Sequence, residues 1–203
     1  MASKIGVSPL TIHIGAEING VDLSQPLAPE IVKEIRAALL KWKVIFFHDQ
    51  DIDHDSHLAF ARQLGKPTVG HAVFGHIDGY PEIYSVAKKR AANRFGAPTM
   101  VAPWTGWHAD ITSAINPPAI SILRGVTLPP YGGDTQWTNL VAAYQGLSDT
   151  LRAFVDTLRS VYVHTCICVH VDVCMCGYVY MCTCVYVYTC ICVRMYMCIC
   201  VYV

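Results

Sequence analysis

The sequence predicts an α+β fold in which helices flank a sheet or barrel, followed by a low-complexity C-terminal tail. Segments with helical and strand periodicity alternate before Gly65, and the middle of the chain contains further short runs rich in strand-forming residues. From residue 161 onward the sequence becomes an almost uncharged repeat. We therefore predict one domain in residues 1–160 and a separate tail in residues 161–203.

Local patterns predict the first elements in order. Residues 10–14 alternate apolar and polar side chains as a short strand does, and Gly15 ends this segment before a turn at 17–20. Residues 29–42 place apolar side chains on one helical face and have proline in the first turn, so they predict a helix. Residues 44–47 are β-branched and aromatic, which is typical of a buried strand.

Capping and turn residues mark the elements that follow. Asp55 is predicted to cap a second helix, which ends at Gly65. The later segments predicted from the same signals are strands at 81–86 and 119–126, a turn at 132–134, and a last helix that opens at 147–148 and runs to roughly residue 158.

Charge and composition exclude several classes of protein. Residues 1–160 hold 14 acidic and 14 basic residues, because the whole chain has 15 of each and the tail contains only Asp172 and Arg194. This balance provides no basic surface for nucleic acid. The N-terminus lacks the basic and then apolar layout of a signal peptide, and residues 1–160 contain no cysteine. These features favour a cytoplasmic protein and do not indicate its oligomeric state.

The tail has the pattern of translated repetitive DNA. Its ten cysteines form five C-x-C pairs that recur every eight residues. Odd-numbered positions hold residues with purine-pyrimidine-purine codons and even-numbered positions hold residues with the opposite pattern, and only Asp172 and Gly177 break this rule. An alternating purine-pyrimidine microsatellite gives such a sequence in one reading frame. We therefore expect the tail to come from readthrough or an error in the gene model, and to be prone to aggregation.

Two other interpretations of the tail stay open. Residues 173–193 form an uncharged stretch that is long enough to span a bilayer. The alternation of side chains with period two favours a strand over a membrane helix, so a membrane partner is not expected. Cysteine thiolates also bind soft metals, which makes a Cys-rich metal-binding module a second alternative.

A candidate metal-binding pair lies in the sequence Trp107-His108-Ala109-Asp110. In an extended chain, residues two apart project from the same side, about 6.6 Å apart, so an imidazole and a carboxylate can converge on one metal ion. Two histidines and one carboxylate form the triad that holds non-haem Fe(II) with open coordination positions. Alone, this pair is a weak signal, because most such pairs are surface residues or hydrogen-bond partners.

Longer stretches resemble one enzyme family. Residues 107–148 read WHADITSAINPPAISILRGVTLPPYGGDTQWTNLVAAYQGLS, which is similar to the core of the taurine dioxygenase (TauD/TfdA) family. Two further stretches agree, IGAEINGVDLSQPL at 14–27 and KVIFFHDQDIDHDSHLAFARQLGKP at 43–67. The resemblance covers most of residues 9–159. It implies an Fe(II)- and 2-oxoglutarate-dependent dioxygenase whose fold is a double-stranded β-helix, or jelly roll, with flanking helices, incomplete in this chain.

The resemblance also implies roles for individual residues. His108 and Asp110 would be the first two iron ligands, and Thr135 corresponds to a threonine that contacts 2-oxoglutarate, unless it only caps its own turn. His71 lies where relatives carry a substrate-facing histidine, and His76 competes for that position. The implied substrate is a small acid such as taurine or another alkylsulfonate. It would be hydroxylated with dioxygen while 2-oxoglutarate is decarboxylated to succinate.

Four neighbouring residues are predicted to have structural roles instead. Trp107 and Trp137 are expected in the core, because indole rings have a large apolar surface to bury. Asp134 and Asn139 are expected as turn and capping residues.

The sequence departs from the family pattern after residue 160. The family's third iron ligand is a histidine, and an arginine soon after it pairs with 2-oxoglutarate. The only histidines beyond Asp110 are His164 and His170, both within the repeat, and no arginine has the required context. We therefore expect an incomplete iron site and an inactive chain, although the intact gene would encode a dioxygenase. A non-catalytic truncated product or interaction module is the alternative.

Overall fold

The described residues form an open, mixed sheet with helices packed beside it. The computed structural model describes residues 5–69, 76–86, 107, 109–110, 116–158 and 197–202, the last of these as backbone only. Its strands are β1 Gly6–Pro9, β2 Ala16–Asn19, β3 Val44–Phe47, β4 Ile120–Gly125 and β5 Met197–Tyr202. Its helices are α1 Pro29–Trp42, α2 His54–Leu64, α3 Leu140–Gln145 and α4 Asp149–Asp156. Residues 1–143 and 194–203 form one compact unit, and residues 144–193 form a second.

The strand order in the sheet is β1-β2-β3-β5-β4. β1 and β2 are antiparallel, whereas β2–β3, β3–β5 and β5–β4 are parallel pairs. Among the described strands, β4 is therefore joined to the rest of the sheet only through β5. The predicted mixture of helices and sheet is confirmed. The sheet is open, so the double-stranded β-helix stays a prediction.

The first hairpin differs from the prediction. Residues 10–14, predicted as a strand, form the connection between β1 and β2, and residues 17–19, predicted as a turn, lie in β2. The connection closes locally, because the Ile14 amide donates to the Thr11 hydroxyl at 3.0 Å and the Leu10 amide donates to the Gly15 carbonyl at 2.9 Å. The alternation at 10–14 does not mark a buried face, since Ile12 is 86% exposed.

Helix α1 and strand β3 have the predicted bounds. The apolar face of α1 is buried at Ile31, Ile35, Ala38 and Leu39, as its periodicity predicts. Lys43 ends the helix with a φ of 67° and donates its backbone N–H to the Leu39 carbonyl at 2.8 Å. The chain can then enter β3 directly.

Helix α2 is confirmed, but its N-cap is Asp53 and the prediction of Asp55 is wrong. The Asp53 carboxylate accepts the Ser56 backbone N–H at 2.8 Å, and this interaction holds the pKa of Asp53 below its usual value. Asp55 lies in the first turn, where it accepts a hydrogen bond from the Tyr80 hydroxyl at 3.0 Å. Gly65 ends the helix as predicted, donating its N–H to the Ala61 carbonyl.

Of the later elements, β4 is confirmed and the strand at 81–86 is wrong. Residues 77–83 fold onto themselves instead, with the Ile77 amide donating to the Ile83 carbonyl at 2.8 Å and the Ile83 amide donating to the Tyr80 carbonyl at 3.0 Å. These local bonds, together with Gly79 at a φ of 80°, use the backbone groups that a sheet ladder would need. The last helix is confirmed as α4, which Ser148 caps through the Leu151 N–H. No described helix is long and apolar enough to cross a membrane.

Strand β3 lies at the centre of the hydrophobic core. Ile45 and Phe47 are fully buried, and the Phe47 ring meets the Phe60 ring of α2 edge to face at 5.9 Å. The other buried members of this cluster come from β2, α1, α2 and the connecting segments: Ile5, Ala16, Ile18, Leu23, Ile31, Ile35, Ala38, Leu39, Ile52 and Leu64. Both helices α1 and α2 therefore depend on β3 for their burial.

Two glutamine side chains hold the loop between β2 and α1. Gln50, which is 9% exposed, accepts the Leu23 N–H at 2.8 Å and donates to the carbonyls of Val21 at 3.3 Å and His48 at 2.9 Å. Gln63 pairs with Leu27 in both directions, accepting its N–H at 3.2 Å and donating to its carbonyl at 2.8 Å. Each amide replaces a backbone partner that this loop lacks.

Replacing Gln50 with leucine should cost about 2 kcal/mol, because the buried Leu23 N–H would lose its acceptor. The matched change Gln63→Leu should cost about 1 kcal/mol, since Leu27 is less buried and water can reach its backbone. Urea denaturation of both variants measures the difference. If both variants lose the same free energy of unfolding, the burial of the Leu23 N–H does not determine the cost of losing its acceptor.

A basic cluster lies between α2 and β4. Arg124 donates to the Ile52 carbonyl at 2.7 Å and to Nδ1 of His54 at 3.2 Å. Burial, together with the charges of Arg124 and His54, lowers the pKa of His57 to about 4, although a hydrogen bond with the Ile122 backbone opposes the shift. Nδ1 of His57 is buried and has no hydrogen-bond partner among the described residues. The α2–β4 contact therefore requires a neutral His57.

Stability should fall as the pH drops from 6.5 to about 4. In that interval the unfolded chain protonates His57 and the folded chain does not, so each pH unit favours unfolding by up to about 1.4 kcal/mol. The contribution is fully present above pH 6.5, and its total loss is about 3 kcal/mol. Denaturant unfolding from pH 7 to pH 4 measures it. His57→Gln should flatten this dependence, and an unchanged slope in that variant would assign it to other groups.

Candidate active site

The structure describes two of the four residues predicted to bind metal, cosubstrate or substrate. Asp110 is half-buried in a turn, and it has an interaction partner. Thr135 is exposed and lies in the irregular segment between β4 and α3. His108 and His71 lie outside the described residues. The pairing of His108 with Asp110 therefore stays a prediction.

Two glycines precede Thr135 in a backbone conformation that favours glycine. Gly132 and Gly133 have φ values of 70° and 76°, a region that residues with a Cβ rarely adopt. A Cβ at Gly133 would also approach the Pro129 ring to 3.2 Å. Residues 132–134 are irregular in the structure, so the predicted turn there is not confirmed.

Two contacts hold the segment that carries Thr135 on its C-terminal side. The Trp137 ring meets the Phe46 ring of β3 edge to face, with centroids 5.6 Å apart. The Asn139 side chain donates to the His13 carbonyl at 2.6 Å, and its oxygen accepts the backbone N–H groups of Val141 and Ala142 at 3.1 Å. Asn139 thus caps α3, which confirms its predicted capping role. Thr135 therefore lies between the two glycines with positive φ and the contacts of Trp137 and Asn139.

Helix α3 was not predicted from the sequence, although a signal was present. Asn139 directly precedes the apolar run Leu140-Val141-Ala142-Ala143, which is the arrangement of an N-cap before a helix. The helix has only six residues, too few for two turns of periodicity to stand out.

The two tryptophans near the site have different environments. Trp137 is half-buried and lines a pocket of about 160 Å³ with residues of the β1–β2 connection and β3: Leu10, Thr11, Ile14, Gly15, Val44 and Phe46. Trp107 is 68% exposed, so its predicted place in the core is wrong. An aromatic side chain alone does not specify burial, because much of a protein's surface is apolar. The pocket admits only a small apolar group.

The described side chains do not form a complete metal site. They contain no group of three or more His, Cys, Asp or Glu residues that could hold an ion. Asp110 provides a carboxylate of the type that Fe(II) accepts, and His108 would add an imidazole. These two residues would supply two of the three protein ligands of the Fe(II) triad, so they fit an iron site only in part.

Comparison with known proteins assigns the chain to a family. A family model described as "Taurine catabolism dioxygenase TauD, TfdA family" matches residues 6–165, which is most of the chain. This chain belongs to the TauD/TfdA family. The match spans β1–β4 and α1–α4, and it includes His71, His108, Asp110 and Thr135.

Individual relatives are dioxygenases and sulfatases. An alpha-ketoglutarate-dependent sulfate ester dioxygenase of Pseudomonas putida is 40% identical over 164 residues, covering 79% of this chain and 50% of the relative. An alkylsulfatase of Acinetobacter baylyi is 37% identical over 160 residues, covering 78% of this chain and 47% of the relative. The chain thus spans about half the length of the curated relatives it matches.

A solved structure supports the fold. The crystal structure of a taurine dioxygenase from Burkholderia xenovorans is 54% identical and superposes with a TM-score of 0.65, covering 79% of this chain and 54% of that one. The described elements therefore have the mixed α/β arrangement of a TauD-like dioxygenase.

Replacing Asn139 with alanine should cost about 2 kcal/mol, because the change removes both the α3 cap and the bond to His13. Asn139→Asp keeps the cap acceptor and loses only the donor, so it should cost about 1 kcal/mol. Urea denaturation of the two variants separates the contributions. If both variants lose the same stability, the cap contributes nothing.

Proposed function

We propose that residues 1–160 are the N-terminal part of an Fe(II)- and 2-oxoglutarate-dependent dioxygenase domain that hydroxylates a small sulfur-containing acid. The observation that carries this proposal is the family match across residues 6–165, together with a curated sulfate ester dioxygenase of 40% identity. A jelly-roll fold is proposed for the complete domain. Residues 161–203 are proposed to be a low-complexity tail without a role in catalysis.

The proposed substrates are alkyl sulfate esters and alkylsulfonates such as taurine. The relatives' names include sulfate ester, alkylsulfate and sulfonate activities. In both substrate types, hydroxylation of the carbon that carries the sulfur group or its ester oxygen gives an unstable product. That product collapses to an aldehyde and releases sulfite from a sulfonate or sulfate from an ester.

Four residues have proposed roles in this chemistry. His108 and Asp110 would hold Fe(II), which in such a site supplies dioxygen activation through open coordination positions. The Thr135 hydroxyl would donate a hydrogen bond to a carboxylate of 2-oxoglutarate. Its exposed position leaves the hydroxyl accessible to a ligand. His71 would face the substrate, whose negative charge a protonated imidazole complements.

We further propose that this chain has no turnover of its own. Residues 1–160 offer no match for the third histidine ligand or the arginine that would pair with 2-oxoglutarate. The alternative function is that of a non-catalytic truncated product or interaction module. The cytoplasm is the proposed compartment.

Fe(II) or Mn(II) should bind the purified full chain weakly under anaerobic conditions, as measured by isothermal titration calorimetry. Asp110→Ala and His108→Ala should each weaken binding at least about tenfold, because each removes one of two protein ligands. The matched control is Asp134→Asn, which removes an exposed carboxylate beside Thr135 and should leave binding unchanged.

Turnover is tested in the same preparation. With 2-oxoglutarate, dioxygen and either an alkyl sulfate or taurine, no succinate should form above the level of the Asp110→Ala variant. Succinate formation that depends on Asp110 would disprove the proposed inactivity while supporting the family chemistry. Metal binding that is equal in all variants would disprove the proposed iron site.

A further inference from the structure

Strand β5 fills a slot between two strands of the family domain. We define the β3–β4 slot as the space between the facing edges of Val44–Phe47 and Ile120–Gly125. On one side Cys198 to Val201 pair with Val44 to Phe47, and on the other all six residues of β5 pair with β4. Both edges of the slot thus have backbone partners only because β5 lies between them.

The sequence of β5 is one of five similar copies in the tail. They recur every eight residues and share the pattern x-Cys-x-Cys followed by a small or β-branched residue. The copies are TCICVH at 165–170, VCMCGY at 173–178, MCTCVY at 181–186, TCICVR at 189–194 and MCICVY at 197–202. The first four copies lie outside the described residues, and they resemble β5 in sequence.

The interactions that normally fix the register of a strand give β5 little preference over another copy of the motif. Backbone hydrogen bonds form the ladder whatever the side chains are, and register is set by the pattern of residues on the two faces. A shift of eight residues returns both cysteines to one face and a Val, Ile, Met, Thr or Gly to each position of the other face. β5 itself carries no charged residue that would favour one arrangement or repel a second strand.

The covalent connection favours the chain's own β5 only while the protein is dilute. β5 is parallel to both neighbours, so no short hairpin links it to the slot. From the end of β4 to the start of β5 the chain runs through residues 126–196. The effective concentration of a tethered segment falls with about the −3/2 power of the tether length, so exchange with a second copy is increasingly favoured as the protein concentration rises.

We propose that the β3–β4 slot is a strand-exchange interface that accepts the Cys-x-Cys strand of a second copy of this chain. The described sheet has one slot, whereas the sequence motif of β5 occurs five times in the tail, so every chain carries more copies of the motif than it has slots. Exchange joins chains by parallel β-ladders, without disulfide bonds. This association goes beyond the proposed dioxygenase chemistry and does not depend on it.

A peptide of residues 195–203 with Cys198→Ser and Cys200→Ser tests the slot directly. The labelled peptide is titrated onto the full chain in reductant, which excludes disulfide exchange, and binding is followed by fluorescence anisotropy. We expect saturable binding. The same peptide with Ile199→Pro should bind at least about tenfold more weakly, because proline removes a ladder N–H in the middle of the strand.

Two variants of the full chain test the association. In the first, proline replaces the residue between the cysteines of every copy: Ile167→Pro, Met175→Pro, Thr183→Pro, Ile191→Pro and Ile199→Pro. In the matched control, valine replaces these five residues and keeps each backbone N–H. The valine chain should self-associate in sedimentation experiments as the unmodified chain does, whereas the proline chain should not.

The peptide should raise the melting temperature of the proline chain, whose slot its own tail cannot fill. If that chain does not fold, saturable peptide binding to the unmodified chain still decides the question. Absence of such binding overturns the proposal. The proposal is also overturned if the Ile199→Pro peptide binds as tightly as the peptide without proline, because binding without backbone pairing to the slot explains that result. Metal binding at Asp110 is unaffected by either outcome, so the proposed iron site is tested separately.

Discussion

The burial of β3 is the constraint on which the other elements depend. This four-residue strand pairs with β2 on one edge and β5 on the other, and its buried side chains meet both α1 and α2. The half-buried Phe46 also receives the Trp137 ring, so the segment that carries Thr135 rests on the same strand. A disturbance of β3 would therefore reach the hydrophobic core and the candidate cosubstrate residue together.

The parts of the fold that the sequence predicted well are those with a long or strongly biased pattern. Helix α1 shows four turns of one apolar face, and β3 is a dense β-branched and aromatic run. Short elements were predicted poorly, because competing local bonds determine their conformation. Residues 10–14 do not form the predicted strand, because the Thr11 side chain closes a local loop with Ile14. Residues 81–86 do not form one either, because the backbone at 77–83 makes local hydrogen bonds instead. The sheet order was not predictable, because β5 comes from a segment whose repeat carries no information about its partners.

In the candidate site too, features that depend on nearby residues could be predicted, and features that depend on distant residues could not. The Asn139 cap could be predicted because its chemistry is local to a few residues. The exposure of Trp107 could not be predicted, since residue type alone does not state which neighbours cover a side chain. The His108–Asp110 pair stays a prediction from a spacing of two residues, and the resemblance to the family implies that a third ligand comes from a distant part of the chain. No local pattern can supply it.

The placement of β5 between β3 and β4 has a consequence for biosynthesis. The ribosome makes β4 and then the intervening residues 126–196 before β5 exists. At about 5–20 residues per second, β4 waits roughly 4–14 s for the strand that joins it to the sheet. During this interval an unpaired strand edge on the nascent chain is open to chaperones and to neighbouring nascent chains on the same message. The yield of folded protein should therefore depend on the rate of elongation through the repeat.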